Sequence, residues 1–115
     1  MRIAERTMGD LTILDLNGRL VEGDGDDVFR DAVNRLVQLG RLQLLLNMDE
    51  VPSIDSCGLG VLVSKYITLH NRNGQLKLCH LHPHVSRVLE ITRLLSVFET
   101  FGSEAEAVKS FAQDV

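Results

Sequence analysis

The spacing of apolar positions changes several times along the chain, and each change marks an element. Residues 2–7 and 11–17 alternate as short strands on either side of the turn "MGD", which predicts an antiparallel hairpin. The polar stretch "NGRLVEGDGDD" follows, and from Val28 the pattern turns helical. Val28, Phe29, Ala32, Val33, Leu36 and Val37 share one stripe; Asp24, Asp26 or Asp27 supplies the N-cap, and Gly40 suits the left-handed position after the last turn. "RLQLLLN", 41–47, lacks polar alternation and reads as a central strand covered on both faces. Beyond "SIDSCGLG", residues Leu59, Leu62, Val63, Tyr66 and Ile67 form a second helical stripe, ended by "NRNG" at 71–74. "QLKLCHL", 75–81, alternates as a strand, and Pro83 opens a helix that carries Val85, Val88, Leu89 and Thr92. "SVFETF" is a short fifth strand, and Ser103 with Glu106 has capping-box spacing for a last helix with Ala107, Val108 and Phe111 inward.

The order ββαβαβαβα predicts a single-domain α/β fold over residues 1–115. Its sheet is mixed and mostly parallel, with about five strands and about four helices, right-handed crossovers and one antiparallel edge hairpin. In such a sheet, function collects in the loop leaving the carboxyl end of a central strand. "SIDSCGLG", 53–60, lies in that connection.

Composition narrows the function classes. With 44% hydrophobic and 24% charged residues, the chain of 115 residues has ordinary soluble composition and enough length for one core. Four Phe, one Tyr and no Trp leave that core aliphatic, with no set of exposed rings on which bases could stack. A net charge of −4 argues against nucleic acid. No apolar run approaches a membrane span, and "MRIAERTMGD" has no apolar signal core, so the chain reads as intracellular. Cys57 and Cys79 stand in unlike contexts without CxxC spacing, which favours two reduced thiols over a disulfide or zinc site.

The chemistry concentrates at the corner. Asp55, Ser56 and Cys57 precede Gly58-Leu59-Gly60 at a predicted helix start, with Ser56 at the N-cap or one residue before it. Unpaired N–H groups and the positive end of the helix dipole meet there. Gly58 and Gly60 remove bulk, so a partner's backbone can come close. A phosphoryl group on Ser56 would draw on those N–H groups while adding about two negative charges. The same residues also read as a plain helix start, since Ser is a favoured N-cap and Asp and Gly are ordinary turn residues. Catalysis has little support. Ile54-Asp55-Ser56-Cys57-Gly58 lacks the leading Gly of a nucleophile elbow, and no base with an orienting carboxylate is evident. Cys57 reads as a half-buried filler, and Gly-Leu-Gly without a Walker lysine or a third glycine is no nucleotide fingerprint.

Two further clusters carry less. Asp24 and Asp26 have the spacing of a calcium loop's first ligands, but Phe29 and Arg35 stand where its turn Gly and bidentate Glu belong. They read instead as an acidic helix start bordering the partner surface. His80, His82 and His84 alternate, but Pro83 breaks the geometry and no fourth ligand is nearby, so no metal is expected.

The run "LLLNMDEVPSIDSCGLGVLV" resembles the signature of the STAS domain, specifically of the bacterial anti-sigma factor antagonists. The likeness extends through "LNGRL", "NGQLKLCHLHPHVSRVLEIT" and "VFETFGSEAEAV", and is most specific at Asp55-Ser56-x-Gly58-Leu59-Gly60. It implies a cytoplasmic partner-switching protein without a cofactor and without enzymatic activity of its own. In such families the Ser after the Asp is phosphorylated by an anti-sigma factor that is also a serine kinase, which the unphosphorylated antagonist binds. A metal-dependent serine phosphatase reverses the mark. Carried over, Ser56 is the acceptor, Asp55 its acidic neighbour, and Gly58, Leu59 and Gly60 the helix start a partner approaches. A homodimer is compatible with the resemblance. Cys57 stands where Ser or Thr is common, Asn47 where Asp is common, and Arg93 where a Gly often follows the Thr of the third helix. The rival class is a STAS scaffold or small-ligand-sensing module without turnover at Ser56.

Overall fold

A computed structural model of the chain describes residues 1–113. Its strands are β1 (Arg2–Met8), β2 (Leu11–Asn17), β3 (Gln43–Glu50), β4 (Gln75–Cys79) and β5 (Thr100–Phe101). Its helices are α1 (Asp26–Gln38), α2 (Ser56–Asn71), α3 (Pro83–Ile91) and α4 (Glu104–Gln113). One sheet joins the strands in chain order, β1 antiparallel to β2 and every later neighbour parallel. The mixed, mostly parallel sheet and the element order are those expected from the hydrophobic pattern.

Strand alternation sorts the apolar side chains onto two faces. Leu14, Leu16, Leu44, Leu46, Met48, Leu76 and Leu78 share one core with residues of α1, α2 and α3, among them Phe29, Leu62 and Leu89. Leu11, Ile13, Leu45 and Cys79 meet Ala107 and Phe111 of α4 in a smaller second core. β3 is therefore covered on both sides, which explains three consecutive, fully buried leucines at 44–46. Lys77 is buried beneath α4. Its Nζ donates to Ser110 Oγ at 3.0 Å, lies 3.1 Å from Glu99 Oε2, and sits 4.6 Å from the centroid of the Phe111 ring. Those partners offset the desolvation of the ammonium. Arg6 pins the start of α4 by donating to Asp15 Oδ2 at 2.7 Å and to Glu104 Oε2 at 3.1 Å. Ser103 Oγ accepts the Glu106 N–H at 3.2 Å, the capping contact that their spacing predicts.

Several boundaries differ from the expectation, each for a local reason. α1 begins at Asp26, and its N-cap is Gly25 rather than an aspartate. Asp26 is spent on the turn before the helix, where its Oδ1 accepts N–H groups of Gly23 at 2.9 Å and Asp27 at 2.8 Å. Val28 and Ile67 are exposed despite lying in the expected stripes. α2 buries Gly58, Val61, Leu62 and Leu69, and Leu59, Val63 and Tyr66 of the expected stripe pack against the same core. β4 stops at Cys79 because His80 takes φ 57°, and with it ends the strand expected to reach residue 81. "SVFETF" contributes only Thr100 and Phe101 to the sheet. The chain first turns back through the Leu94 carbonyl, which accepts the Val97 and Phe98 N–H groups, and this carries Phe98 into the larger core. Thr92 caps α3 instead of continuing it, with Oγ1 donating to the Val88 carbonyl at 2.7 Å. Arg93 follows at φ 61°, a left-handed conformation that Gly takes at less cost.

The two glycines of the corner have opposite surroundings. A Cβ on Gly58 would lie 1.9 Å from the Leu20 carbonyl oxygen, whereas one on Gly60 would meet nothing within 4 Å. Gly58→Ala is expected to lose about 1–3 kcal/mol or more, since backbone must move. Gly60→Ala is expected to gain about 0.5–1 kcal/mol as a helix-interior alanine. Urea unfolding of both variants checks this, and equal effects would contradict the assignment.

Candidate functional site

After β3 the chain crosses the sheet's carboxyl end and attaches to the segment that leaves β2. Leu20 and Ile54 form a parallel bridge. The Leu20 N–H donates to the Ser53 carbonyl at 3.0 Å, and the Asp55 N–H donates to the Leu20 carbonyl at 3.3 Å. Val51 and Ile54 are buried beneath this crossing, and Gly58 fits under the Leu20 carbonyl. The corner is thus held by backbone bonds and close packing.

Asp55, not Ser56, caps α2. Its backbone is extended, with φ −108° and ψ −175°. Its Oδ1 accepts the Gly58 N–H at 2.9 Å, and its Oδ2 accepts the Glu22 N–H at 3.0 Å. One carboxylate therefore closes the helix start and ties the 20–22 segment to it. The Glu22 and Gly58 donors hold its carboxyl below the usual range. Ser56 is the first helical residue and is exposed.

Ser56 opens on a shallow cleft of about 360 Å³ between α1 and α2. Glu22 borders it from the loop, Asp26 and Arg30 from α1, and Cys57, Gly60 and Ser64 from α2. The structure brings Asp26 to this cleft but turns Asp24 elsewhere, where its Oδ2 accepts from Arg19 Nη2 at 3.1 Å. Leu59 is half-buried against the larger core, and Gly60 is exposed. Glu22, Arg30 and Ser64 were not singled out from the sequence. Each looks like a solvated polar position until α1 and α2 are placed side by side.

Cys57 is exposed, not the half-buried filler expected. Desolvation beside the cleft, then the charges of Glu22, Asp55 and Asp26, push its thiol above the ordinary range, which opposes thiolate formation. Cys79 is buried, and desolvation pushes its thiol up to about 12. Among the described residues, no three His, Cys, Asp or Glu side chains are grouped to hold a metal ion. No described helix is long and apolar enough to cross a membrane.

Two outcomes follow from this geometry. A carboxyl held low in the folded state contributes stability that is complete above the unfolded value of about 3.9 and is lost as pH falls below it. The stability difference between wild type and Asp55→Asn should be largest near neutrality and shrink below about pH 4 in urea melts; a pH-independent difference would contradict the clasp. Cys57 should alkylate more slowly at neutral pH than free cysteine, and faster labelling would overturn its protonated state.

Comparison with known proteins agrees with the geometry. Residues 2–107 match the family model of the STAS domain. A relative from Paenibacillus polymyxa, an anti-sigma F factor antagonist, is 25% identical over 97 residues, covering 84% of this chain and 82% of its own. A crystal structure from Thermotoga maritima, of a candidate anti-sigma factor antagonist, has a TM-score of 0.88 at 26% identity, over 94% of this chain and 92% of that one. The Bacillus cell fate determinant SpoIIAA, in its phosphorylated form, shares the fold with a TM-score of 0.74 at 17% identity, over 96% of this chain and 99% of that one. The matched span runs from β1 into α4 and contains the whole Ser56 corner, and the chain belongs to the STAS domain family.

Proposed function

We propose that this chain is a cytoplasmic anti-sigma factor antagonist that works by partner switching at Ser56. With Ser56 unmodified, the corner and its cleft bind an anti-sigma factor that is also a serine kinase, and a sigma factor is released. Transfer of a phosphoryl group from ATP to Ser56 Oγ ends that complex. A metal-dependent serine phosphatase restores the hydroxyl. The chain itself performs no catalysis and contacts neither nucleic acid nor membrane.

The observation that carries this reading is the placement of Ser56, an exposed hydroxyl on the first helical residue of a corner fixed by Asp55, Leu20 and Gly58. A kinase needs an acceptor that reaches out of the surface, and a partner surface needs one that returns to the same place. The relative from Paenibacillus polymyxa supplies the class of partner. A phosphoryl group adds about two negative charges and three oxygens to a contact formed around a small neutral group. A partner seated there must then desolvate the phosphate or separate. Cys57 leaves Ser56 as the one hydroxyl at the start of the helix.

A second reading, a STAS module that senses a small ligand, draws on a different feature. A hollow of about 740 Å³ lies at the opposite end of the sheet, bordered by Met8, Leu11, Gln43, Val108 and Phe111. It shares no lining residue with the Ser56 cleft.

The deciding experiment titrates the kinase-type anti-sigma factor that co-purifies from the native cell against three forms of the protein. Wild type and Ser56→Ala should bind alike without ATP, and only wild type should lose affinity when ATP is added. Ser56→Asp should bind about tenfold more weakly or worse, since a charge is brought into the contact. Thermal stability of both variants should stay within about 0.5 kcal/mol of wild type, as expected of an exposed position. Equal affinities throughout, with no phosphate on wild type, would leave the ligand-sensing reading standing.

A further inference from the structure

The helix start that would ordinarily receive a phosphate on Ser56 is already in use. The Gly58 N–H is bonded to Asp55 Oδ1, and the Cys57 N–H also turns toward that carboxylate. The positive end of α2 is thus answered by Asp55, and a phosphate on Ser56 finds it occupied. The groups around Ser56 are otherwise hostile to further negative charge. Glu22 and Asp26 border the cleft, Asp55 precedes Ser56, and Asp27 lies at the start of α1. Arg30 is the one cationic side chain among the residues that line the cleft. Its present partner is Asp27, with Nη1 2.5 Å from Oδ1, an exposed pair one turn apart on the same helix. Such pairs contribute little and are easily exchanged.

We propose that Arg30 is the internal receptor for phosphorylated Ser56, leaving Asp27 to pair with the phosphate across the α1–α2 cleft. This rests on the reading of Ser56 as a phosphoacceptor. A guanidinium presents paired donors to phosphate oxygens, and a dianion is a stronger acceptor than the exposed carboxylate it replaces. The exchange joins the two helices that bound the cleft and fills the space between them. Phosphorylation therefore repels a partner and also closes the surface that received it. Arg30 acts here as a positioning residue, because the phosphoryl transfer itself requires nothing from it.

The test needs neither kinase nor partner. Phosphoserine is installed at position 56 during translation, and the phosphate is titrated by ³¹P NMR in the wild-type, Arg30→Gln and Arg30→Lys backgrounds. The second ionisation of free phosphoserine lies near pH ~6. In Arg30→Gln, where Glu22, Asp26 and the Cys57 thiol line the cleft and Asp55 adjoins Ser56 in the chain, the midpoint should lie about one unit or more above that of wild type. Arg30→Lys should recover most of that difference. Coincident midpoints in wild type and Arg30→Gln would overturn the proposal. If Arg30→Gln does not fold, the Arg30 Nε–H resonance of the phosphorylated wild type replaces it: movement through the phosphate titration supports the pairing, and a static resonance refutes it. A kinase that never modifies Ser56 would defeat the phosphoacceptor reading while leaving this titration readable, so the two failures are distinct.

Discussion

Everything at the Ser56 end of this molecule depends on how closely α2 can approach the Leu20 carbonyl. That oxygen accepts the Asp55 N–H and occupies the space where a side chain on residue 58 would be. With no Cβ at Gly58, the first turn of α2 lies directly on the strand-leaving segment, and Asp55 can reach both Gly58 and Glu22. If helix and segment are separated by the width of a methyl group, Asp55 spans only one of its two partners. Ser56 would then sit on a frayed turn. The exposed residue owes its fixed position to a buried contact two steps back: oxygen on glycine, carboxylate on two amides, hydroxyl on the first turn.

Much of this was legible in the amino-acid order. The apolar run without alternation at 44–46 reads as a strand covered twice, and the α4 face duly covers Leu45 while α1, α2 and α3 cover its neighbours. The Asp-Ser-x-Gly motif located the corner because it combines a cap, a hydroxyl and a glycine in one turn. What escaped the reading depended on tertiary placement. The buried face of α2 is wider than its apolar stripe, because Gly58, which has no hydropathy signal, packs directly under the Leu20 carbonyl. Ser56 gave up the cap because Asp55 can accept two N–H groups from opposite sides, and a hydroxyl could not span them. Arg30 carries no motif, and only the packing of α1 beside α2 gives it a neighbour across the cleft. Lys77 interrupts an otherwise apolar β4, and its burial follows from α4 lying over it with Ser110 and Phe111.

Charge balance also accounts for the neutral side chain at position 47. Arg6 divides its donors between Asp15 and Glu104, and those contacts hold the Glu104 carboxyl below its usual range. Asn47 faces the same group from β3, with Nδ2 3.4 Å from Glu104 Oε1, while its Oδ1 accepts the Asp49 N–H at 3.1 Å. An amide serves both contacts because it donates and accepts. A carboxylate at position 47 would add a third negative charge around one guanidinium. The neutral side chain and the doubly engaged arginine therefore make one arrangement, and they fasten α4 to the face opposite the cleft.

The sheet's strand order carries a consequence for biosynthesis. Because each strand pairs with the one made just before it, a chain emerging from the ribosome can add strands to a growing edge without waiting for a distant segment. The helices between parallel strands cover one side as they appear. The other side has no such escort: Leu11, Ile13, Leu45 and Cys79 stay bare until Ala107 and Phe111 arrive. A nascent chain stalled before α4 would present a half-dressed sheet with an apolar face, the kind of surface that chaperones retain and that neighbouring chains adhere to. α4 is thus the element that gives the second face of the growing sheet its cover.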